Sequence, residues 1–282
     1  MSVVVNHAKR QLREGKLAIG LGLRQARTVD SAQMLKTCGF DWAFIDCEHN
    51  SMDVDTAAQI AAASLAVGIT PIARVPSHEH YHATRLLDNG AQGVVVPHVD
   101  SADEARRIAS FCRFPPAGHR SMGGGLQQIG FAPMPVADAA RAVNEETLVV
   151  LMIESPQGVE HCDAIAAVPG VDALLIGTND LCFEMGIPGQ FHDARVVDAY
   201  KRVIGACRKH GKFAGMGGLY TAEMFERFVG MGAKPICCSP PPIERCPSGG
   251  KRQKAAIRRA SSAVSTCGTT TPCAPLSSRR EA

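Results

Sequence analysis

The sequence WAFIDCEH, residues 42–49, is an apolar run that ends in three ionisable side chains, Asp46, Glu48 and His49. The apolar part has the length and composition of a buried β-strand. Charge directly after a buried strand is unusual unless the carboxyl end of that strand opens into a functional pocket, as it does in α/β barrels. Whether this strand belongs to a barrel depends on the rest of the chain.

Six further apolar runs alternate with segments of helical composition. They are residues 16–23, 69–76, 93–99, 147–154, 173–180 and 212–217. This alternation indicates repeated βα units around a parallel sheet. An open doubly wound sheet and a closed barrel both fit the pattern, but no GxGxxG motif follows the first strand and no phosphate loop occurs. We therefore predict an α/β fold of the (β/α)8 TIM-barrel type, for which 282 residues are sufficient.

Capping residues mark several of the intervening helices. Ser31 and Asp53 are expected to begin two helices that end at Gly39 and Gly68. Ser101, with Glu104 three residues later, has the capping-box pattern, and Thr221 is expected to begin a later helix.

Composition excludes several classes of function. The net charge of +3 hides an uneven distribution, because eight of the 30 Lys and Arg residues but only two of the 27 Asp and Glu residues lie after position 234. The first 234 residues are therefore slightly acidic, which argues against nucleic-acid binding. No apolar run approaches the ~18 residues of a membrane helix, and the N-terminus lacks a signal-peptide pattern. We expect a cytoplasmic protein whose scattered cysteines before residue 210 are small buried residues.

Ionisable residues also end other predicted strands. Arg74 lies near the end of the third, Glu154 at the end of the fifth and Asp180 just after the apolar part of the sixth. In a barrel, these side chains and those of residues 46–49 would meet at one rim. Two carboxylates suit a hard divalent ion such as Mg²⁺ or Mn²⁺ better than zinc, although one of them could instead pair with an Arg or Lys.

The remaining candidates suggest a reaction. His49 could move a proton, with Asp88 holding its ring in one tautomer, and Arg74 could stabilise an oxyanion beside the metal. A metal, a guanidinium and a base together favour formation of an enolate next to a carbonyl group. The residues therefore suggest a metal-assisted carbon–carbon lyase that acts on a 2-oxo acid.

Seven motifs, in order between about residue 8 and residue 234, resemble the HpcH/HpaI family of metal-dependent class II pyruvate aldolases. They are FDWAFIDCEH, PIARVP, LLDNGAQGVVVPHVDSADEA, FPPAGHRS, MIESPQGVE, VPGVDALLIGTNDL and GMGG. The resemblance implies an enzyme that binds a small 2-oxo acid and an aldehyde. It also implies a homo-oligomer, a hexamer, with no nucleic-acid or membrane partner.

The resemblance also implies individual roles. Glu154 and Asp180 would ligate Mg²⁺ or Mn²⁺, with Co²⁺ as a further candidate, and Arg74 would bind the keto oxygen of pyruvate. His49 and Asp88 would form an acid–base dyad. Asp46 and Glu48 are assigned supporting roles around Arg74 and metal-bound water. The pyruvate carboxylate would be bound by the main chain of the turn Gly177, Thr178, Asn179 and Asp180.

The last part of the chain departs from this family. Residues 235–282 contain seven of the 17 prolines and five of the 11 cysteines, and three consecutive prolines at positions 240–242 cannot supply the ladder hydrogen bonds of a central strand. We predict an incomplete barrel over residues 1–234, in which an atypical Pro/Cys/Arg-rich tail replaces the eighth strand and last helix. A reading-frame shift near Lys234 is one hypothesis, which sequencing the coding DNA tests; a genuine disordered tail is the other.

Three other functions stay open at this stage. The same pocket could decarboxylate oxaloacetate to the same enolate. A barrel with a broken rim could instead be catalytically impaired and persist as a binding or structural protein. Lyases that act on CoA esters share the barrel fold and the metal-dependent chemistry, but no basic loop suited to the CoA phosphates is evident.

Overall fold

All seven predicted runs contain strands in the computed structural model, which describes residues 3–219, 221–233 and 236–238. The strands are β1 (Ala18–Leu23), β2 (Trp42–Asp46), β3 (Thr70–Arg74), β4 (Gly93–Val96), β5 (Leu148–Ile153), β6 (Ala173–Gly177), β7 (Phe213–Gly217) and β8 (Ile236–Cys238). The ladders are parallel, in the order β7-β6-β5-β4-β3-β2-β1-β8. The predicted α/β class and parallel sheet are confirmed.

Helices connect successive strands, as a βα repeat requires. They are α1 (His7–Arg13), α2 (Asp30–Cys38), α3 (Val54–Val67), α4 (His80–Asp88), α5 (Ala102–Cys112), α6 (Val136–Glu146), α7 (Pro156–Glu160), α8 (Cys162–Ala166), α9 (Thr178–Glu184), α10 (Ala194–Lys209) and α11 (Ala222–Gly230). Among the described residues, no helix is long and apolar enough to span a membrane.

The caps agree with the sequence in most cases. Asp53 accepts a hydrogen bond from the Thr56 N–H at 2.8 Å, and Gly68 ends α3 with φ +72°. The capping box of Ser101 and Glu104 forms at the start of α5. The predicted cap at Ser31 is wrong, because α2 begins at Asp30 with Val29 at the N-cap position, and Ser31 is buried inside the first turn.

Strand side chains alternate between two apolar layers because successive residues point to opposite faces of a strand. Phe44, Ile72, Val95 and Met152 belong to one cluster inside the curled sheet. Their neighbours along each strand, such as Ile45, pack against the surrounding helices in a second cluster. Both faces are therefore buried, as expected for a parallel sheet of the TIM-barrel type.

The amino-terminal helix closes one end of the inner layer. Ala8 and Leu12 of α1 pack into the same cluster as the inner strand residues. Lys9 is buried, pairs with Asp172 at 2.9 Å and donates to the Thr147 carbonyl at 2.6 Å. This end lies below the amino ends of the strands, which leaves the carboxyl ends for a functional site.

The prediction that no eighth strand would follow Lys234 is wrong for three residues. Ile236, Cys237 and Cys238 pair in parallel with Ala18, Ile19 and Gly20 of β1. The backbones of β7 and β8 approach within 8 Å, although no hydrogen-bonded ladder joins these two strands in the part of the chain that the structure describes. The three-residue strand fits because it ends before the prolines at 240–242. The rest of the tail, including both hypotheses for its origin, lies outside the described residues.

Candidate active site

A cavity of about 200 Å³ opens at the carboxyl ends of the strands. Its wall contains most of the residues singled out from the sequence. They are His49, Arg74, Glu154, Gly177, Thr178, Asn179 and Asp180. The sheet therefore brings together side chains up to about 130 positions apart in the chain, because all its strands run in the same direction.

Arg74 is fixed by two carboxylates. Its Nε and Nη2 donate to Asp46 Oδ1 and Oδ2 at 3.0 and 2.7 Å, and its Nη1 lies 2.8 Å from Glu48 Oε2. The guanidinium also lies over the ring of Phe44, 5.2 Å from its centroid. β2 and β3 are adjacent with Asp46 opposite Arg74, so the sheet register itself forms the bidentate pair. Arg74 is thus held in one orientation at the cavity wall.

The ion pair shifts both ionisation equilibria. Burial, the largest single influence, would raise the pKa of Asp46, but the hydrogen bonds and charge of Arg74, together with the backbone N–H groups of Glu48 and His49, lower that pKa. Burial would likewise lower the pKa of Arg74, but the contact with Asp46 and the charges of Glu48 and Glu154 together raise it. Both groups are therefore charged at neutral pH, which provides a permanent cation in the cavity.

Glu154, directly after β5, is only 1% exposed. Its Oε2 accepts a hydrogen bond from the backbone N–H of His98 at 3.0 Å and lies 3.8 Å from His98 Nδ1. Burial raises the pKa of Glu154 to about 7; His98 opposes this rise, and the negative charges of Asp180 and Glu48 add to it. A buried carboxylate near two others is a group that a cation would stabilise.

The space for Glu154 depends on Gly177, the last residue of β6. A Cβ atom at position 177 would lie 2.6 Å from Cγ and 2.8 Å from Cδ of Glu154, closer than carbon atoms can approach. Because Gly177 has no side chain, the Glu154 carboxylate has room to turn toward the cavity that Asp180 also lines.

Hydrogen bonds of the Thr178 side chain hold the turn between β6 and α9 in place. Thr178 is buried; its Oγ1 donates to the Gly217 carbonyl of β7 at 2.7 Å and shares a 2.7 Å hydrogen bond with the hydroxyl of Tyr200 in α10. Its side chain is thus committed to the scaffold. The backbone N–H groups of Thr178, Asn179 and Asp180 occupy the first turn of α9, where a helix has no internal acceptors for them.

His49 and Asp88 are not brought together within one chain. His49 is exposed, with Nε2 3.7 Å from Glu48 Oε2. Asp88, the last residue of α4, instead accepts a hydrogen bond from Arg120 Nη2 at 2.6 Å and does not line the cavity. No ion pair between His49 and Asp88 occurs among the described residues of one chain, so the acid–base dyad stays a prediction.

Two residues of the site were missed by the sequence reasoning. Arg24 follows β1 directly and lines the cavity, so the rule that selected the other ionisable residues after strands would have found it. His98 follows β4 and has a φ of +49°, which aims its N–H at Glu154. No sequence signal marks this backbone role, since a positive φ at a residue other than Gly is uncommon.

The donor set fits a divalent ion that keeps part of its coordination open. Among residues 3–219, 221–233 and 236–238, no cluster of three or more His, Cys, Asp or Glu side chains could enclose a metal. Mg²⁺, however, is commonly held by one or two carboxylates, with water and substrate oxygens completing its shell. Glu154, which is buried and has no side-chain cation within hydrogen-bond distance among the residues that the structure describes, and Asp180 form such a pair at the cavity.

Comparison with known proteins gives concordant results. The sequence profile of the HpcH/HpaI aldolase/citrate lyase family matches residues 24–235. The 4-hydroxy-4-methyl-2-oxoglutarate aldolase of Hapsidospora irregularis is 40% identical over 217 residues, which are 76% of this chain and 80% of that protein. The pyruvate aldolase of Rhizobium etli is 35% identical over 216 residues, 77% of this chain and 84% of that protein.

Solved structures agree as well. An HpcH/HpaI aldolase from Desulfitobacterium hafniense superposes with a TM-score of 0.78 at 28% identity, covering 95% of this chain and 98% of that one.

Proposed function

Because the chain belongs to the HpcH/HpaI aldolase/citrate lyase family, we propose that it reversibly cleaves a 4-hydroxy-2-oxo acid to pyruvate and an aldehyde in the cavity described above. Relatives named as aldolases make it a carbon–carbon lyase that releases pyruvate. The observation that carries the assignment to this cavity is Arg74, fixed by Asp46 and Glu48 in the wall that also contains Glu154 and Asp180.

Glu154 and Asp180 are the residues we assign to a divalent ion, Mg²⁺ or Mn²⁺, with Co²⁺ as a further candidate. When bound, such an ion supplies a Lewis acid for the 2-oxo group and the neighbouring carboxylate of the substrate. Glu154 must release its proton to serve as a ligand, and its raised pKa makes this step dependent on pH near neutrality.

Arg74 binds the 2-oxo oxygen. As the C3–C4 bond breaks, its electron pair moves onto C3 and the 2-oxo group, so negative charge develops on that oxygen. A guanidinium that Asp46 has already oriented stabilises this charge without reorganisation. The main chain of Thr178, Asn179 and Asp180 donates to the C1 carboxylate and fixes the pyruvyl half against the β6–α9 turn.

His49 moves the proton. It accepts the proton of the 4-hydroxyl group while the C3–C4 bond breaks and C4 becomes a carbonyl carbon. Protonation of the enolate at C3 then completes pyruvate, and the reverse sequence gives aldol addition. The exposed position of His49 at the cavity mouth permits proton exchange with water. Asp88 receives no role in this scheme, because it pairs with Arg120.

The second product depends on the substituents at C4. For 4-hydroxy-4-methyl-2-oxoglutarate, the compound in the name of the Hapsidospora irregularis relative, cleavage between C3 and C4 gives two molecules of pyruvate. A C4 that carries hydrogen gives an aldehyde instead.

The decisive experiment measures pyruvate release from 4-hydroxy-2-oxo acids with Mg²⁺, with Mn²⁺ and after exhaustive chelation by EDTA. We expect activity that chelation abolishes and either metal restores. Saturable Mn²⁺ binding should also weaken in Glu154→Gln by more than the roughly 10- to 100-fold typical of changes outside the ligand shell. The exposed Glu160→Gln is the matched control and should bind Mn²⁺ as the wild type does.

Activity that survives chelation would contradict the metal assignment. Pyruvate release from oxaloacetate alone would favour decarboxylation, which passes through the same enolate. A homo-hexameric assembly and a cytoplasmic location are proposals from the sequence, and light scattering of the purified protein tests the first.

A further inference from the structure

Arg24 is a second guanidinium in the cavity, and the reaction scheme leaves it unused. It follows β1, lines the cavity with Glu154, Asp180 and His49, and its side chain is 52% exposed. Among the described residues, Arg24 and Arg74 are the only Arg or Lys side chains in this wall. A permanent positive charge at the mouth of a substrate cavity therefore needs an explanation.

The donors of Arg24 are available. Among the described residues its ion-pair partner is Asp46, whose Oδ2 lies 3.8 Å from its Nε, beyond hydrogen-bond distance. Both oxygens of Asp46 already accept from Arg74, at 3.0 and 2.7 Å. Asp46 thus attracts Arg24 toward the cavity without occupying its N–H groups. The planar guanidinium can therefore donate to an anion.

The position of Arg24 indicates which part of the substrate it meets. In the sheet, β1 is separated from β5 by β2, β3 and β4, so Arg24 and Glu154 lie on opposite sides of the curled rim. With the pyruvyl half held by Glu154, Asp180 and the β6–α9 turn, the C4 end extends toward the side that contains Arg24 and His49. His49 accepts the proton of the hydroxyl group on C4, so Arg24 faces the other substituents of C4.

We infer that Arg24 determines specificity by binding a carboxylate on C4, so that the enzyme prefers dicarboxylic 4-hydroxy-2-oxo acids, formed from pyruvate and a carbonyl acceptor that itself carries a carboxylate. This inference rests on the proposed function and adds the acceptor class to it. A guanidinium can bind such a group through two parallel N–H···O hydrogen bonds, a geometry that a neutral acceptor cannot offer.

The test compares glyoxylate and acetaldehyde, which differ by one carboxylate in place of a methyl group, as acceptors for pyruvate in the Mg²⁺-loaded full chain. We expect Arg24→Gln to raise KM for glyoxylate by about 10- to 100-fold, as for loss of a hydrogen bond to a charged group. KM for acetaldehyde should change less than about threefold. Arg24→Lys should recover part of the lost glyoxylate binding, because lysine keeps the positive charge but not the two parallel N–H donors of the guanidinium.

Two further measurements separate binding from structural support. Exchange of the pyruvate methyl protons into D₂O, followed by NMR without an acceptor, reports enolate formation and should persist in Arg24→Gln. Arg27→Gln, an exposed arginine on the same loop that does not line the cavity, should leave every parameter unchanged.

Equal effects of Arg24→Gln on both acceptors, or loss of proton exchange, would overturn the inference, because Arg24 would then act by supporting Asp46 and Arg74. Unchanged KM for glyoxylate would overturn it as well. Absence of proton exchange in the wild type would instead overturn the proposed function together with this inference, so the two failures are distinguishable.

Discussion

Glu154, which we propose as a metal ligand, also makes the stability of the fold depend on pH. Its carboxylate is almost fully buried, and its pKa is raised to about 7 from an ordinary value of 4.5. In the metal-free protein, the folded state therefore keeps a proton between pH 4.5 and 7 that the unfolded chain has released. Raising the pH through this window should destabilise the folded state, because the unfolded state binds fewer protons.

We accordingly predict that, in EDTA, the wild type loses about 3 kcal/mol of unfolding free energy between pH 4.5 and pH 7 relative to Glu154→Gln, which cannot ionise. Urea unfolding of both proteins across this range measures the difference. Glu160→Gln should follow the wild-type curve. Parallel curves for the wild type and Glu154→Gln would show that the carboxylate does not titrate in this range.

Arg74 gives a second prediction at the scale of the residue. Arg74→Lys keeps the charge but cannot donate to both oxygens of Asp46 while it also contacts Glu48. We expect kcat to fall by about 10²- to 10³-fold, the loss typical of removing one oriented donor at a developing oxyanion. Steady-state kinetics check this, with the exposed Arg85→Lys as control. A variant that keeps a third or more of the wild-type kcat would remove Arg74 from the scheme.

At the scale of the element, the turn between β6 and α9 determines whether the two carboxylates can meet. The strand ends on a glycine that leaves room for Glu154, and the helix begins on a threonine tied to Gly217 and Tyr200. Gly177 thus leaves space for the Glu154 side chain, and Thr178 fixes the start of the helix that carries Asp180.

Gly177→Ala should therefore weaken metal binding strongly while the fold persists, because its Cβ would displace the Glu154 carboxylate. Mn²⁺ titration should show a loss of affinity of at least about 100-fold, more than changes outside the ligand shell usually cause. Gly205→Ala, within α10 and with open space around the added Cβ, is the matched control. It should bind Mn²⁺ normally and be stabilised by up to about 1 kcal/mol. Normal Mn²⁺ affinity in Gly177→Ala would exclude Glu154 as a ligand.

At the scale of the whole molecule, the two ends of the sheet have different tasks. The carboxyl ends hold the cavity, and helix α1 covers the opposite end through Leu12 and the buried amine of Lys9. Asp172, the partner of Lys9, also pairs with Arg113 and accepts from the Val149 N–H. The amino-terminal segment is thus joined to the strands on the far side of the sheet.

Lys9→Ala should lower the free energy of unfolding by about 1 to 3 kcal/mol, the cost of leaving buried acceptors with fewer partners. Arg13→Ala removes an exposed arginine from the same helix and should change it by less than about 0.5 kcal/mol. Urea denaturation of both variants measures these values. Equal values for the two variants would mean that the buried contacts of Lys9 do not stabilise the protein.

The sequence by itself determined the local features. Apolar runs and turns predicted seven strands, caps such as Asp53 and Ser101 predicted helix starts, and charges after strands predicted Arg74, Glu154 and Asp180 at one rim. These succeeded because strand patterns and caps depend on residues close in the chain. The seven motifs also predicted the family, which the profile match over residues 24–235 confirms.

Only the tertiary structure decided which distant residues meet. It paired Asp88 with Arg120 and left His49 beside Glu48, and it added Arg24 and the His98 N–H to the site. It also placed a short strand at 236–238, where composition had predicted none. Such contacts depend on the register between strands that are far apart in the chain and on backbone torsion angles such as that of His98. Local sequence patterns predict neither quantity.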